Sequence, residues 1–226
     1  MDSKPVLSGA ASLASLEPTI NAYTWSRSAG KRLFDVVFAG FCLLLTWPLM
    51  LLAALLIKCT SPGPVFFRQI RSGQDGKTVD LLKFRSMTHG RRNAGPGVTR
   101  QGDPRIFPAG RWLRKWKVDE LPQFINVIRG EMSMVGPRPD LPEYMDLLSQ
   151  DQREVLLLRP GITGAATVKF RNEEELLAQV PADELQQFYV YRLLPEKVRL
   201  ELAYARQASL SGDLKILLST VATILS

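Results

Sequence analysis

Two adjacent carboxylates, Asp119 and Glu120, open the stretch Val118-Asp-Glu-Leu-Pro-Gln-Phe-Ile-Asn-Val-Ile-Arg-Gly130, and Gly136-Pro-Arg-Pro139 follows closely. Carboxylates of this kind hold hard cations, magnesium above all. Arginines are dense nearby, Arg138 between two prolines among them, and a helix cap alone does not account for them. A plainer reading stands beside this one: Asp119 caps a short helix and Glu120 faces its dipole in the first turn. In that helix Leu121, Phe124, Ile125 and Ile128 fall at i, i+3, i+4 and i+7, which predicts a core-facing stripe. Pro122 fits the first turn, and Gly130 fits the position just past the end.

The rest of the composition narrows the chemistry. The 226 residues carry a net charge of +7, so the natural partner is anionic: a phosphorylated substrate, nucleic acid or acidic lipid. No nucleic-acid reader motif or stacking platform accompanies that charge. Two cysteines, Cys42 and Cys59, and one histidine, His89, exclude a disulfide framework and a zinc cluster.

These residues need elements to position them. Residues 1–30 read as a flexible leader. From Val36 to Ile57 no charge occurs, and twenty such residues suffice to span a bilayer core. A simple spanning helix is the default. Two features oppose it: Pro48 sits mid-segment, and basic residues flank both ends (Arg27, Lys31 and Arg32 before, Lys58, Arg68 and Arg71 after). Positive flanks mark the cytoplasmic side. The expectation is therefore a Pro48-kinked re-entrant hairpin over 31–58, entering and leaving by one face.

Beyond it, 59–226 forms the cytosolic domain. Val65–Arg71 and Lys77–Arg85 have strand character around the turn Gly73–Gly76, a β-hairpin. Residues 87–104 read as a loop. Ile106–Lys117 reads as a helix with Arg111, Arg114 and Lys115 beside Trp112 and Trp116, suited either to a membrane surface or to a solvated face over buried tryptophans. Further helices are expected over 141–158, 173–179, 182–193, 196–208 and 213–225, the last amphipathic. Arg159-Pro-Gly-Ile-Thr-Gly164 reads as a turn offering backbone amides to an anion. The fold class is α+β: a mostly helical cytosolic domain with a small β-hairpin, anchored by the re-entrant helix and by amphipathic surface helices.

Six motifs in order carry a resemblance. They are Lys31-Arg-Leu-Phe-Asp35, Ser61-Pro-Gly-Pro-Val-Phe-Phe67, Leu82-Lys-Phe-Arg-Ser-Met87, Asp119-Glu-Leu-Pro-Gln123, Met132-Ser-Met-Val-Gly-Pro-Arg-Pro139 and Arg159-Pro-Gly-Ile-Thr-Gly164. Over roughly 31–225 the chain resembles the bacterial sugar transferases, monotopic polyprenol-phosphate phosphoglycosyl transferases, in the form of their minimal catalytic unit. The resemblance implies transfer of a sugar 1-phosphate from a nucleoside diphosphate sugar, usually a UDP-sugar, to polyprenyl phosphate. UMP is released, and assembly of a surface glycan begins at the cytoplasmic face of the bacterial inner membrane.

The resemblance further implies roles. Asp119 is the nucleophile and a magnesium ligand, forming an aspartyl-phosphosugar intermediate. Glu120 handles the proton of the lipid phosphate or orients the metal. Lys83, Arg85, Arg114, Arg138 and Arg171 hold phosphates or shape the nucleotide site, with Pro137 and Pro139 fixing the Arg138 guanidinium. Membrane lipid is a further partner, and the oligomeric state is open, a homodimer among the options. The chain departs from its relatives where Trp47 replaces a serine before Pro48, where Ala165–Arg171 keeps only the arginine of a Trp-x-Gln-x-x-Gly-Arg pattern, and where Gln186 replaces an aspartate. These changes bear on the kink and on donor choice. Two other functions fit the same residues less fully: a non-catalytic module binding anions at the membrane surface, and a nucleotide-sugar hydrolase.

Overall fold

The computed structural model describes residues 23–88, 99 and 102–225; the expected leader up to residue 22, His89 and most of the 87–104 loop lie outside them. In chain order come α1 (Ala29–Thr60), the strands β1 (Phe66–Ser72) and β2 (Thr78–Phe84), then α2 (Pro108–Lys115), α3 (Gln123–Arg129) and β3 (Ser133–Val135). They are followed by α4 (Pro142–Met145), β4 (Gly161–Thr163), α5 (Ala165–Lys169), α6 (Glu173–Ala178), α7 (Leu185–Phe188), α8 (Leu194–Ala205) and α9 (Leu210–Leu225). The expected α+β class with a dominant helical share holds, and the expected hairpin forms as antiparallel β1–β2 with Phe66 opposite Phe84.

Ser28 starts α1 by accepting from the Lys31 amide at 3.0 Å. Within this 32-residue helix Lys31, Asp35 and Ala39 are buried near one end and Ala53 and Ile57 near the other. Between them Phe41, Leu44, Leu45, Trp47, Leu51 and Leu52 stand exposed. Both ends therefore pack on the body that carries β2. Ala39 joins Val79, Leu81, Val127 and Met132, while Ala53 and Ile57 join Phe84, Phe107, Leu113 and Val118. Pro48 lies inside the helix, where its ring denies the Leu44 carbonyl its usual donor. Two residues earlier Thr46 donates its hydroxyl to the Cys42 carbonyl at 2.8 Å, a back-bond of the kind that bends helices. That bond goes to Cys42 and not to the Leu44 carbonyl, and α1 runs as one continuous helix from Ala29 to Thr60 in place of the expected hairpin.

Several expectations change. The stripe on α3 is rotated: Gln123, Asn126 and Val127 are the buried residues, and Ile128 is 40% exposed. Hydrogen bonding chooses this face. Asn126 accepts from the Leu82 amide at 3.0 Å and donates to the Asp80 carbonyl at 2.9 Å, clamping α3 across β2. Asn126→Ala leaves a buried amide and carbonyl unpaired, so we expect a loss of about 2–3 kcal/mol, read as a lower denaturant midpoint.

The helix expected over 141–158 divides into α4 and a 3₁₀ stretch, Gln152–Leu157. The segment expected to offer amides around 159–164 instead forms β4, paired in parallel with β3. The Gly161 amide donates to the Pro137 carbonyl at 2.8 Å, and the Gly136 amide to the Thr163 carbonyl at 2.9 Å. The two backbones run so close that a Cβ on Gly161 would collide with Gly136. The Gly161 amide is thereby committed to pairing and is not available to an anion.

Candidate active site

The approach to the dyad begins at Lys117, whose backbone is left-handed (φ 54°, ψ 20°). It lies two residues past α2 and opens a 3₁₀ turn, Val118–Glu120, in which the Glu120 amide donates to the Lys117 carbonyl at 3.1 Å. Val118 is driven into the core beside Leu113 and Ile57. Asp119 follows it inside and is only 4% exposed. No side-chain cap bond forms at this turn or at α3, so the helix-cap reading of Asp119 does not hold. Its Oδ1 is buried with no hydrogen-bond partner. A buried carboxylate oxygen left unpaired is costly, which makes it the atom aimed at something the protein does not itself supply.

Glu120 is fully engaged. Lys83, projecting from β2, donates to its Oε1 at 3.2 Å; Arg138 reaches Oε1 with one guanidinium nitrogen and Oε2 with the other at 3.1 Å. The carboxylates consequently diverge. Burial, then the Glu120 charge, pushes Asp119 up to about 6, against the opposing pull of Lys83, Arg114 and Lys117. Burial acts on Glu120 too, but Arg138, Lys83 and Lys117 together bring it well below the usual carboxylate range. Two like groups with opposed environments are the pattern of divided catalytic labour.

The other expected residues distribute unevenly. Arg114 pairs with Glu174 and ties α2 to α6, while its charge still bears on Asp119. Arg85 is drawn away: it is 3% exposed, and its guanidinium donates to the Ser61 carbonyl at 2.6 Å and to that of Pro62, holding the exit of α1. Arg171 is exposed and makes no hydrogen bond or ion pair among the described residues. Pro137, Arg138 and Pro139 line a cleft whose far wall is α8, with Lys197 and Glu201. Behind Arg138 runs a chain of contacts that sequence reading missed. Arg71 donates to Asp140 at 3.2 Å, Tyr189 donates to the same carboxylate, and Lys197 donates to the Tyr189 hydroxyl at 3.2 Å and to Glu173 at 3.0 Å. Asp140 directly follows Arg138-Pro139, the one sequence signal that could have indicated it.

For magnesium the donor set is sparse but suitable. No cluster of three acidic, histidine or cysteine residues occurs among the described residues. Magnesium commonly takes only one or two carboxylates and completes its shell with water and substrate phosphate. The orphan Asp119 oxygen fits that demand.

The sequence model of the bacterial sugar transferase family matches residues 26–226. A UDP-glucose:undecaprenyl-phosphate glucose-1-phosphate transferase of Caulobacter vibrioides is 41% identical over 202 residues, 87% of this chain and 70% of that protein. The Escherichia coli protein of the same description is 38% identical over 84% of this chain and 39% of its own length. A UDP-N-acetylgalactosamine-undecaprenyl-phosphate N-acetylgalactosaminephosphotransferase of Aeromonas hydrophila is 36% identical over 87% of this chain and 44% of its own. The match to the family takes in α1, both carboxylates and every cation around them, and the chain belongs to the bacterial sugar transferase family.

Proposed function

We propose that the chain transfers a sugar 1-phosphate from a UDP-sugar to polyprenyl phosphate, through an aspartyl-phosphosugar intermediate at Asp119. The observation that carries this reading is the buried, unpartnered Asp119 Oδ1 beside cations held by Glu120. Names of the relatives supply the substrate classes: UDP-glucose in two, UDP-N-acetylgalactosamine in a third, undecaprenyl phosphate in all. The sugar itself is left to experiment.

Asp119 attacks the phosphorus that bears the sugar; a carboxylate–phosphorus bond forms and the bond to UMP breaks. An oxygen of the lipid phosphate then attacks the same phosphorus, and Asp119 departs as carboxylate. Splitting the transfer lets one site serve a soluble donor and then a lipid. Lys83 and Arg138 turn from Glu120 to the donor's diphosphate, neutralising charge where it develops. Glu120, so released, takes the proton that a phosphomonoester carries near neutrality. Magnesium held at Asp119 would screen the diphosphate from the attacking carboxylate. Arg114 stays braced by Glu174 and adds positive charge toward Asp119.

The exposed apolar middle of α1 needs a cover, and a bilayer is the natural one. We place the chain as a monotopic protein on the cytoplasmic face of the inner membrane. Supporting this is the packing of both ends of α1 on one body, with the exposed apolar stretch and Pro48 between them. Cysteine labelling that finds positions 25 and 77 on opposite faces would overturn it.

The purified protein, with magnesium, polyprenyl phosphate and a panel of UDP-sugars, should release UMP for one donor or a few. Release in turnover quantity without lipid would instead favour a hydrolase. No release from any donor would count against the transferase.

A further inference from the structure

We propose that Lys117 receives the phosphate of the lipid acceptor, a role separate from that of the cations facing the donor. The inference rests on the transferase reading above.

Of the cations whose charge reaches the dyad, three already have partners: Lys83 and Arg138 hold Glu120, and Arg114 holds Glu174. Lys117 is exposed, and its side chain makes no hydrogen bond or ion pair among the described residues. Its backbone is nonetheless distinctive. Its left-handed backbone, uncommon outside glycine and asparagine, opens the turn that carries Asp119 two residues on. Strain of that kind gathers at functional sites. Its charge bears on both Asp119 and Glu120.

Position separates it from the donor cations. It follows α2, where Leu113 packs with Ala53 and Ile57, the residues at which the apolar run of α1 comes to an end. Trp112 on this short helix and Trp116 just past its end are 46% and 40% exposed, amphipathic rings of the kind that settle at a membrane surface. Lys117 therefore stands between the lipid side and the nucleophile. Lys83 and Arg138 reach Glu120 from β2 and from the loop after β3.

The second displacement needs such a group. A lipid phosphate oxygen gives its lone pair to the phosphorus, the Asp119–phosphorus bond breaks with its electrons returning to the carboxylate, and the lipid phosphate proton passes to Glu120. Meanwhile the entering monoester brings negative charge toward a phosphorylated aspartate, and Lys117 offsets it.

The test compares wild type with Lys117→Asn and Lys117→Gly, both neutral and tolerant of the left-handed backbone, and with Lys117→Arg. Neutral detergent micelles remove general attraction to anionic lipid. The neutral variants should raise KM for polyprenyl phosphate about 10- to 100-fold, the loss of one charge-assisted hydrogen bond. The donor KM and the amplitude of the lipid-independent burst of UMP should be retained, and Lys117→Arg should recover most of the loss. An unchanged lipid KM in both neutral variants overturns the proposal and returns Lys117 to a solvated surface charge. An equal loss in the UMP burst overturns it in favour of a donor contact. Failure of the transferase reading is separate: wild type itself would then release no UMP.

Discussion

Asp119→Asn is expected to abolish the trapped phosphosugar adduct and to lower turnover by roughly three orders of magnitude or more, because it removes the attacking oxygen itself. The same change should make the protein more stable. Burial and the Glu120 charge raise Asp119 to about 6, above the roughly 3.9 of an unfolded aspartate. A carboxyl raised in this way contributes its full stability below the unfolded value and loses it as pH climbs through the folded one. Asparagine carries no proton to lose. The variant and wild type should therefore unfold alike near pH 4 and diverge between pH 4 and 6. At pH 7, without metal or donor, the variant should lead by on the order of 2 kcal/mol. Thermal unfolding in detergent across that range measures it. A helix cap predicts the reverse, a loss of about 1 kcal/mol on replacement. Persistence of the adduct in Asp119→Asn would remove Asp119 as nucleophile. Loss of activity together with loss of stability would make it a structural carboxylate. Higher stability bought with lost activity is the trade expected where a site is held against its own repulsion.

The β1–β2 hairpin, the apolar run of α1 and the end of α3 at Gly130 were legible in the sequence because each rests on local rules: period-two patterning, length, and residues with restricted or permissive backbones. The β3–β4 pair was not. Each strand has only three residues, and Ser133 meets Gly161 across an intervening stretch that contains α4 and a 3₁₀ turn. No periodicity fits in three residues. The α3 face was misread for a related reason: apolar spacing pointed outward from Leu121, while the decisive contacts are made by a polar side chain, Asn126, to a strand distant in sequence.

The site divides along the same line. Asp119 and Glu120 could be singled out from their adjacency and from the basic residues around them. That Lys83 and Arg138 converge on Glu120 could be expected only through resemblance, since no local pattern joins β2 to the loop after β3. Arg85, two residues from Lys83, does not join it at Glu120 and is spent on the Ser61 and Pro62 carbonyls. In an extended segment, alternate residues ordinarily share a face; here β2 has ended at Phe84, and the alternation no longer applies. Lys117 was passed over because a left-handed lysine leaves no mark in the sequence.

The larger effect on stability is expected at Asp35, far from the chemistry. It is fully buried, and its Oδ1 accepts from Lys31 at 2.6 Å and from the Met134 amide at 3.0 Å, while Ser133 donates to Oδ2 at 2.8 Å. Lys31 also reaches Asp213 at 3.2 Å, and Asp213 accepts from the Trp25 indole at 2.9 Å and the Tyr204 hydroxyl at 2.8 Å. One buried ammonium thus joins the first turn of α1 to β3 and α9. Asp35→Ala strands the Met134 amide and leaves Lys31 with one carboxylate in place of two, at a cost of about 3–5 kcal/mol. Asp35→Asn keeps an acceptor for the amide and should cost clearly less. A cycle with Lys31→Met should show coupling above about 1 kcal/mol, since the two side chains are in direct contact. If Asp35→Ala and Asp35→Asn unfold at the same denaturant concentration, the Met134 amide is not what Asp35 chiefly serves. The consequence for function follows the chain: from Met134 in β3 it continues through Gly136 and Pro137, in the loop after the strand, to Arg138. Loosening Asp35 shifts the guanidinium that holds Glu120, so turnover should fall while the Asp119 adduct still forms.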